Sequence, residues 1–351
     1  MTTLDRRMLL AGLAAGAATA MTCRVLHAAE PGVSDQPLPR LLNNHRVIID
    51  TDPGNDDAIA ILMALDAPNL SVEAITVAPG NIAYAQEVKN ALYVVELAGH
   101  AGQVSVHPGM THPILDRAYA HANFIHGASG LGKVVVPAVR QQPDTEHAVD
   151  AIRRIVRRYP REVVILALGG LTNVAMALLL DPALATMIKG IQFVANAGNA
   201  VPSFNAMVDP EAVDIVLRSG APLTMGLGRQ YDSLLTRADF DHIASFDTPR
   251  SRFFMQSNEL RLTFEMSARG APGSVNADPL ATAMIIDPSI ATGFKAIHAR
   301  VELEGELTRG DILFGENRYS MAPTLPANAN LCVEASNDAF KRLLFATLTR
   351  R

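Results

Sequence analysis

The 351-residue sequence has no tryptophan, an aromatic content of 5%, and two cysteines, Cys23 and Cys332. Two cysteines exclude a disulfide framework and a cysteine-based metal centre by count. The shortage of aromatic residues decides nothing about function by itself. Charge of one sign is also missing: 30 Lys and Arg against 35 Asp and Glu leave a net charge of −5. With no basic stripe, nucleic acid is not expected as a partner. What the chain has in quantity is apolar side chain, 49% by composition, ample for one large domain or two modest ones.

The N-terminus follows its own pattern. Asp5-Arg6-Arg7-Met8-Leu9-Leu10 leads into a small-residue apolar stretch, Ala11 to Met21, too short to span a bilayer comfortably. This resembles a twin-arginine export signal. A short buried helix is the competing reading, but Ala and Gly give it little bulk to pack. Cleavage is expected after Ala18-Thr19-Ala20 or near Ala28 and Ala29, and the polar stretch Glu30 to Arg40 reads as a linker. The expected organisation is a signal over 1–29, a linker over 30–42 and one domain over 43–351. Such a protein is periplasmic or otherwise exported and has no membrane contact after signal removal. If the later site is cut, only Cys332 remains, and no intramolecular disulfide forms despite an oxidising destination.

The densest chemistry lies in Asp50-Thr51-Asp52-Pro53-Gly54-Asn55-Asp56-Asp57, four carboxylates in eight residues directly after Val47-Ile48-Ile49. The apolar run reads as a buried strand, Pro53-Gly54 as a tight turn, and Asp56 onward as a helix. One or two Asp at a helix start merely suit its electrostatics. Four this close repel one another unless a cation or polyol holds them.

The same alternation continues down the chain. Ser71 to Val77 reads as a strand ending in Ala78-Pro79-Gly80-Asn81, followed by an amphipathic helix over about 84–98 and a short strand Val104-Ser105-Val106. Residues 107–136 lack periodicity and carry His107, His112, His121 and His126, a long loop of the functional kind. A helix over 147–158 precedes a strand Val163 to Leu168, which ends in Gly169-Gly170-Leu171-Thr172-Asn173 and another helix. Ile191 to Val194 reads as a further strand, 236–287 as a more helical section, and Phe294 to Ile297 and Leu331 to Glu334 as late strands. Strands alternating with helices predict an α/β fold with an open, mostly parallel, Rossmann-like sheet flanked by helices. The helical C-terminal section closes the site. The loops after Ile49, Val77, Leu168 and Val194 all follow strand C-termini, where such sheets collect ligands.

Five pieces invite one site: the Asp cluster, Pro79-Gly80-Asn81, Gly169 to Asn173, Phe204-Asn205-Ala206-Met207-Val208-Asp209-Pro210-Glu211-Ala212, and Val275-Asn276-Ala277-Asp278-Pro279-Leu280-Ala281. Together they resemble the inosine-uridine-preferring nucleoside hydrolase family over roughly 47–287, and the Asp-x-Asp-Pro-Gly-x-Asp-Asp opening is the specific part. The resemblance implies that Asp52, Asp57 and Asp278 ligate Ca2+ with the backbone carbonyl of Leu168, an all-oxygen set that suits a hard cation. It implies Asp52 as the general base for a Ca2+-activated water, which attacks the anomeric carbon of a ribonucleoside and releases the base. It further implies Asp56 on the 2'-hydroxyl, Asn205 on the 3'-hydroxyl, Asn81 orienting the sugar and Asn199 on the 5'-hydroxyl, with Asp50 as support. The expected partner is a small nucleoside, and a dimer or tetramer is the expected assembly. Taken singly, Asn81 also reads as a helix cap, Gly169-Gly170 as a plain turn and Asp278 as an N-cap.

The sequence departs from the family pattern twice. Ala277 stands where the base-preferring branch has a His that protonates the leaving base, and Ser203 stands where the family has a Glu gripping the 5' side. The loop before Asn205 is also shorter. Relatives that activate the base by aromatic stacking suggest Phe204, Phe253, Phe254 and Phe264 as walls, each also a plain core residue. His126, in Phe124-Ile125-His126-Gly127, is the remaining candidate to contact or protonate the base, while His107, His112 and His121 read as structural or exposed. Two other function classes compete: a non-catalytic or altered-specificity nucleoside or ribose binder on the same fold, and a haloacid-dehalogenase-type phosphatase. The intact Asp52 favours an enzyme over the binder. The crowded acids argue against a phosphate site, which wants positive charge.

Overall fold

The computed structural model describes residues 45–198, 202–226, 228–229, 231–314 and 325–350. The expected signal and linker lie outside these residues, as does Asn199. The strands are β1 (His45–Thr51), β2 (Leu70–Val77), β3 (Val106–Pro108), β4 (Val163–Ala167), β5 (Gly190–Phe193), β6 (Leu223–Met225), β7 (Leu234–Thr236), β8 (Gly273–Val275), β9 (Ala291–Ile297), β10 (Ala299–Val301), β11 (Ile312–Phe314) and β12 (Ala329–Ala335). Eight of them form one sheet in the order β3-β2-β1-β4-β5-β6-β12-β9. Its neighbours are parallel except β12 with β9. The other four pair as the antiparallel ribbons β7–β8 and β10–β11.

The apolar run of β1 is fully buried because both faces of a central parallel strand are covered. Val47 and Ile49 belong to one core, Ile48 to the other. Helices α1 (Asn55–Asp66) and α2 (Tyr84–Leu97) follow β1 and β2, a single turn α3 (Asn123–His126) interrupts the long loop, and α4 (Ala148–Arg158), α5 (Thr172–Leu180) and α6 (Leu184–Met187) flank β4. After β5 come α7 (Phe204–Val208), α8 (Pro210–Arg218), α9 (Arg237–Ser245), α10 (Pro249–Ala268), α11 (Ala277–Ile286) and α12 (Asn337–Leu348). Buried side chains of α1, α2, α9, α10, α11 and α12 pack on the Val47 face. Those of α4, α5, α6 and α8 pack on the Ile48 face.

From β1 the chain winds outward to β2 and β3, then returns to β4 on the other side of β1. The connections after β1 and β4 therefore part, and a crevice opens at the C-terminal ends of these two strands. Residues 52–57 and 168–173 meet there.

Three differences from the sequence reading have physical reasons. The strand expected at 104–106 is β3 at Val106–Pro108, because pairing with β2 sets its register through Ile75 and Val106. The β10–β11 hairpin and β6 are each too short to show periodicity. The long loop holds the helical turn α3, ended by Gly127 at a positive φ of 77°.

Candidate active site

Helix α1 begins one turn after β1, and this places Asp56 and Asp57 at its buried N-terminus. Asp57 accepts from Thr51 Oγ1 at 2.6 Å, from the Gly54 N–H at 2.9 Å and from Asn81 Nδ2 at 3.1 Å. Asn81 Nδ2 also donates to the Asp52 carbonyl at 2.9 Å. Asn81 thus serves the acid cluster and does not cap α2, whose cap position is Ala83 without a side-chain bond. Asp278 is not a cap either: Asn276 holds that position, and Asp278 sits buried in the first turn of α11.

Asp56, Asp57 and Asp278 each offer a carboxylate oxygen within 4.8 Å of the others. Asp52 lies outside that trio, yet its carboxyl and that of Asp278 both contact Asp57. Burial, then the charges of Asp57, Glu87 and Asp278, push Asp52 well above the usual carboxylate range. Burial, then Asp56 and Asp57, do the same to Asp278. Asp57 is raised by burial and by Asp56. Oδ2 of Asp52 and Oδ1 of Asp56 are buried with no hydrogen-bond partner among the described residues. Crowded carboxylates with unpaired oxygens are a donor set that suits a hard cation.

Gly80 and Gly169 let the chain close around Asp52. A Cβ at either position would overlap the Asp52 carboxylate. Gly169-Gly170 is therefore not a plain turn. Asp50 lies behind the cluster, accepting from Thr76 Oγ1 at 2.6 Å and Asn173 Nδ2 at 2.9 Å, and burial lifts it to about 7.

Asn205, from α7, donates its amide to the carbonyls of Leu168 and, at 3.0 Å, Val194. The Leu168 carbonyl expected to face a cation already serves Asn205 and has one lone pair left. Ser203 caps α7 by position alone, and its buried Oγ has no partner among the described residues. Phe204 and Phe264 are half-buried. Phe253 and Phe254 are core residues, so two of the four suggested aromatic walls are unavailable to a base.

His126 is buried at the end of α3, with Nδ1 2.8 Å from Asn55 Oδ1. The Asn55 amide nitrogen donates to the Ile125 and Ser257 carbonyls, each at 3.2 Å, so its oxygen faces His126 as an acceptor. Burial holds the imidazole down at about 4 despite Asp56, and Arg261 presses the same way. His126 is neutral near pH 7 and has no ready proton for a leaving base. His107 is buried against the Glu146 carbonyl at 3.1 Å. His121 is exposed and lies 3.1 Å from the Gly80 carbonyl, and with His112 and Tyr119 it lines a cleft of about 350 Å3 beside Pro79 and Ile82.

A match to the family model described as inosine-uridine preferring nucleoside hydrolase spans residues 47–342. The chain belongs to that family. It is 35% identical over 273 residues to the inosine-uridine preferring nucleoside hydrolase of Crithidia fasciculata, covering 76% of this chain and 86% of that one. A pyrimidine-specific ribonucleoside hydrolase of Photobacterium profundum is 31% identical, with 85% and 96% covered. Among solved structures, a plant nucleoside hydrolase superposes with a TM-score of 0.81 at 30% identity, covering 88% of this chain and 99% of that one. A purine-preferring ribonucleoside hydrolase from Gardnerella vaginalis gives 0.77 at 30% identity, with 87% and 98% covered. As a nucleoside hydrolase, the chain hydrolyses N-glycosyl bonds of ribonucleosides. The family is metal-dependent, and the buried Asp cluster could bind a metal.

Several site residues of this nucleoside hydrolase escaped the sequence reading. Arg261 of α10 pairs with Asp56 Oδ2 at 2.5 Å, and Glu265 one turn on lies 3.6 Å from its Nε. An Arg and Glu four apart on a helix look like any exposed pair, and nothing in the sequence marks these as buried. Glu87 of α2 accepts from the Ile82 N–H at 3.0 Å, and burial raises it to about 8. The Tyr119 hydroxyl, in the cleft beside Pro79 and Ile82, is pushed up by burial and by the charges of Glu87, Asp52 and Asp209.

Proposed function

We propose that the chain splits exported or environmental ribonucleosides into ribose and free base, with Ca2+ held by Asp52, Asp57, Asp278 and the Leu168 carbonyl and with Asp52 as general base. The observation that carries this reading is the unpaired, buried Oδ2 of Asp52 beside a carboxylate cluster short of positive charge. A bound Ca2+ supplies charge that lowers the pKa of a coordinated water. With that charge in place Asp52 would return toward the ionised state, against the burial and then the Asp57, Glu87 and Asp278 charges that raise it. Ionised Asp52 accepts the proton of the attacking water and so makes the nucleophile.

The remaining residues bind and orient. Asp56 keeps Oδ1 for the ribose 2'-hydroxyl, and Asn205 has its amide oxygen for the 3'-hydroxyl. Asn81 fixes Asp57 and the backbone of Asp52, Asn199 serves the 5'-hydroxyl, and Phe204 flanks the sugar. The negative charge around the anomeric carbon stabilises the oxocarbenium-like transition state. His126 contacts the base as a neutral group. The residues 1–29 would direct export through the twin-arginine route, and a dimer or tetramer is the proposed assembly.

The named relatives include inosine-uridine, pyrimidine and purine preferences. The test is therefore a panel of purine and pyrimidine ribonucleosides incubated with the mature protein, with Ca2+ or with chelator, measuring free base. Release that needs Ca2+ is the expected result. Release unaffected by chelator would overturn the metal assignment, and no release from any nucleoside would leave a binder.

A further inference from the structure

We infer that Arg261 is a positioning residue that holds Asp56 out of the cation's ligand set and reserves it for substrate. Four carboxylates share this crevice, and Asp56, Asp57 and Asp278 are close enough to take one ion together. Asp56 is the one with a cation of its own. Its Oδ2 meets Arg261 Nη1 at 2.5 Å, and the same nitrogen donates to Asn55 Oδ1 at 3.1 Å. Behind it, Glu265 lies 3.6 Å from Arg261 Nε and accepts from the Val275 N–H at 2.6 Å. Arg261, Asp56 and Glu265 are all buried, which fixes the guanidinium as few surface pairs are fixed.

The pairing splits the two oxygens of Asp56. Oδ2 is committed to Arg261, and Oδ1 is buried with no hydrogen bond among the described residues, His126 Nδ1 lying 3.8 Å from it. The charge balance agrees with this division. Burial pushes Asp56 up, but Arg261 and His126 outweigh it and leave Asp56 below its ordinary value, whereas Asp52, Asp57 and Asp278 are all raised. Arg261 acts on Asp278 as well, yet there it does not offset burial and the neighbouring acids. The guanidinium near the cluster also opposes a divalent ion, so the chain gives up some metal affinity to keep Asp56 free.

The use of the free oxygen by a ribose hydroxyl rests on the hydrolase reading; the division of the cluster does not. Calorimetry with Ca2+ alone, on wild type, R261M, R261K and R261M/D56N, tests it. R261M is expected to bind Ca2+ about tenfold more tightly, the order for removing one unit charge beside a divalent ion under water-like screening. Its KM for a ribonucleoside is expected to rise, the opposite sign. R261K keeps the charge and should show no gain in Ca2+ affinity, and adding D56N should cancel the gain of R261M. A damaged fold would weaken both ligands together. Unchanged or weaker Ca2+ binding by folded R261M, or a gain that survives D56N, overturns the proposal; if R261M does not fold, R261Q carries the same comparison. A wild type that releases no base would sink the hydrolase reading and leave the Ca2+ result standing.

Discussion

Asn81 donates its side-chain amide to the Asp57 carboxylate at 3.1 Å. The bond joins the loop after β2 to the first turn of α1, the two chain segments that enclose the crevice from one side. A hydrogen bond to a charged group contributes about 1.5–3 kcal/mol. Asn81→Ala should therefore lower the melting temperature and weaken Ca2+ binding, the latter by roughly 10- to 100-fold. Calorimetry and a thermal melt check both halves, and an Asn81→Ala protein with wild-type Ca2+ affinity would make the contact incidental.

Asp52→Asn keeps the shape of the side chain and removes the proton acceptor. Base release should fall by at least about 100- to 10,000-fold, the usual worth of a positioned acid or base. Substrate binding, measured at equilibrium, should persist. Turnover within tenfold of wild type would move the general base elsewhere.

The pH dependence of the chelated protein has a definite sign. Glu87 rises from 4.5 to about 8 and Asp50 from 3.8 to about 7 on folding. Groups raised on folding stabilise the native state at low pH, and that stability is lost as pH climbs through their folded values. With chelator the melting temperature should drop between about pH 5 and pH 8. Ca2+ should remove most of this slope by holding the cluster ionised. A chelated protein whose melting temperature rises over that window contradicts the burial of these acids.

His126, held at about 4, is a neutral imidazole near neutrality and has no imidazolium proton to give. The kcat profile between pH 6 and pH 8 should have the same shape in His126→Gln as in wild type, although kcat/KM falls. Disappearance of a limb near pH 6.5 in the variant would show that His126 titrates in the working enzyme.

The four phenylalanines separate by burial. Phe254→Ala should cost about 3–5 kcal/mol of stability, as for a core aromatic. Phe264, half-buried and 5.1 Å from the Phe124 ring, should cost less and act mainly on KM. Denaturant titration and steady-state kinetics on both variants decide this.

The opening motif was legible because its parts agree: an apolar run for a doubly covered strand, Pro53-Gly54 for the turn, and acids at the helix start. The same consistency exposed β2, β4 and β5 and the loops at their ends. Arg261 and Glu265 were not legible, since burial of a helix face carrying charge depends on what packs against it, here the α3 turn and β8. Glu87 was hidden for a similar reason: its five-residue reach back to the Ile82 N–H is invisible in a helix that looks amphipathic. His126 was found by its loop motif, but its protonation follows from Asn55 and Arg261, which only the folded chain brings to it.

The acids that would hold the cation come from widely separated parts of the chain, Asp52 and Asp57 beside β1 and Asp278 on α11. A growing chain acquires the first pair early and the third only when α11 has been made and docked on α1. If these acids hold the cation, its capture is expected late in folding. Protection from protease by Ca2+ would then report completed assembly, and a fragment cut before α11 would gain none.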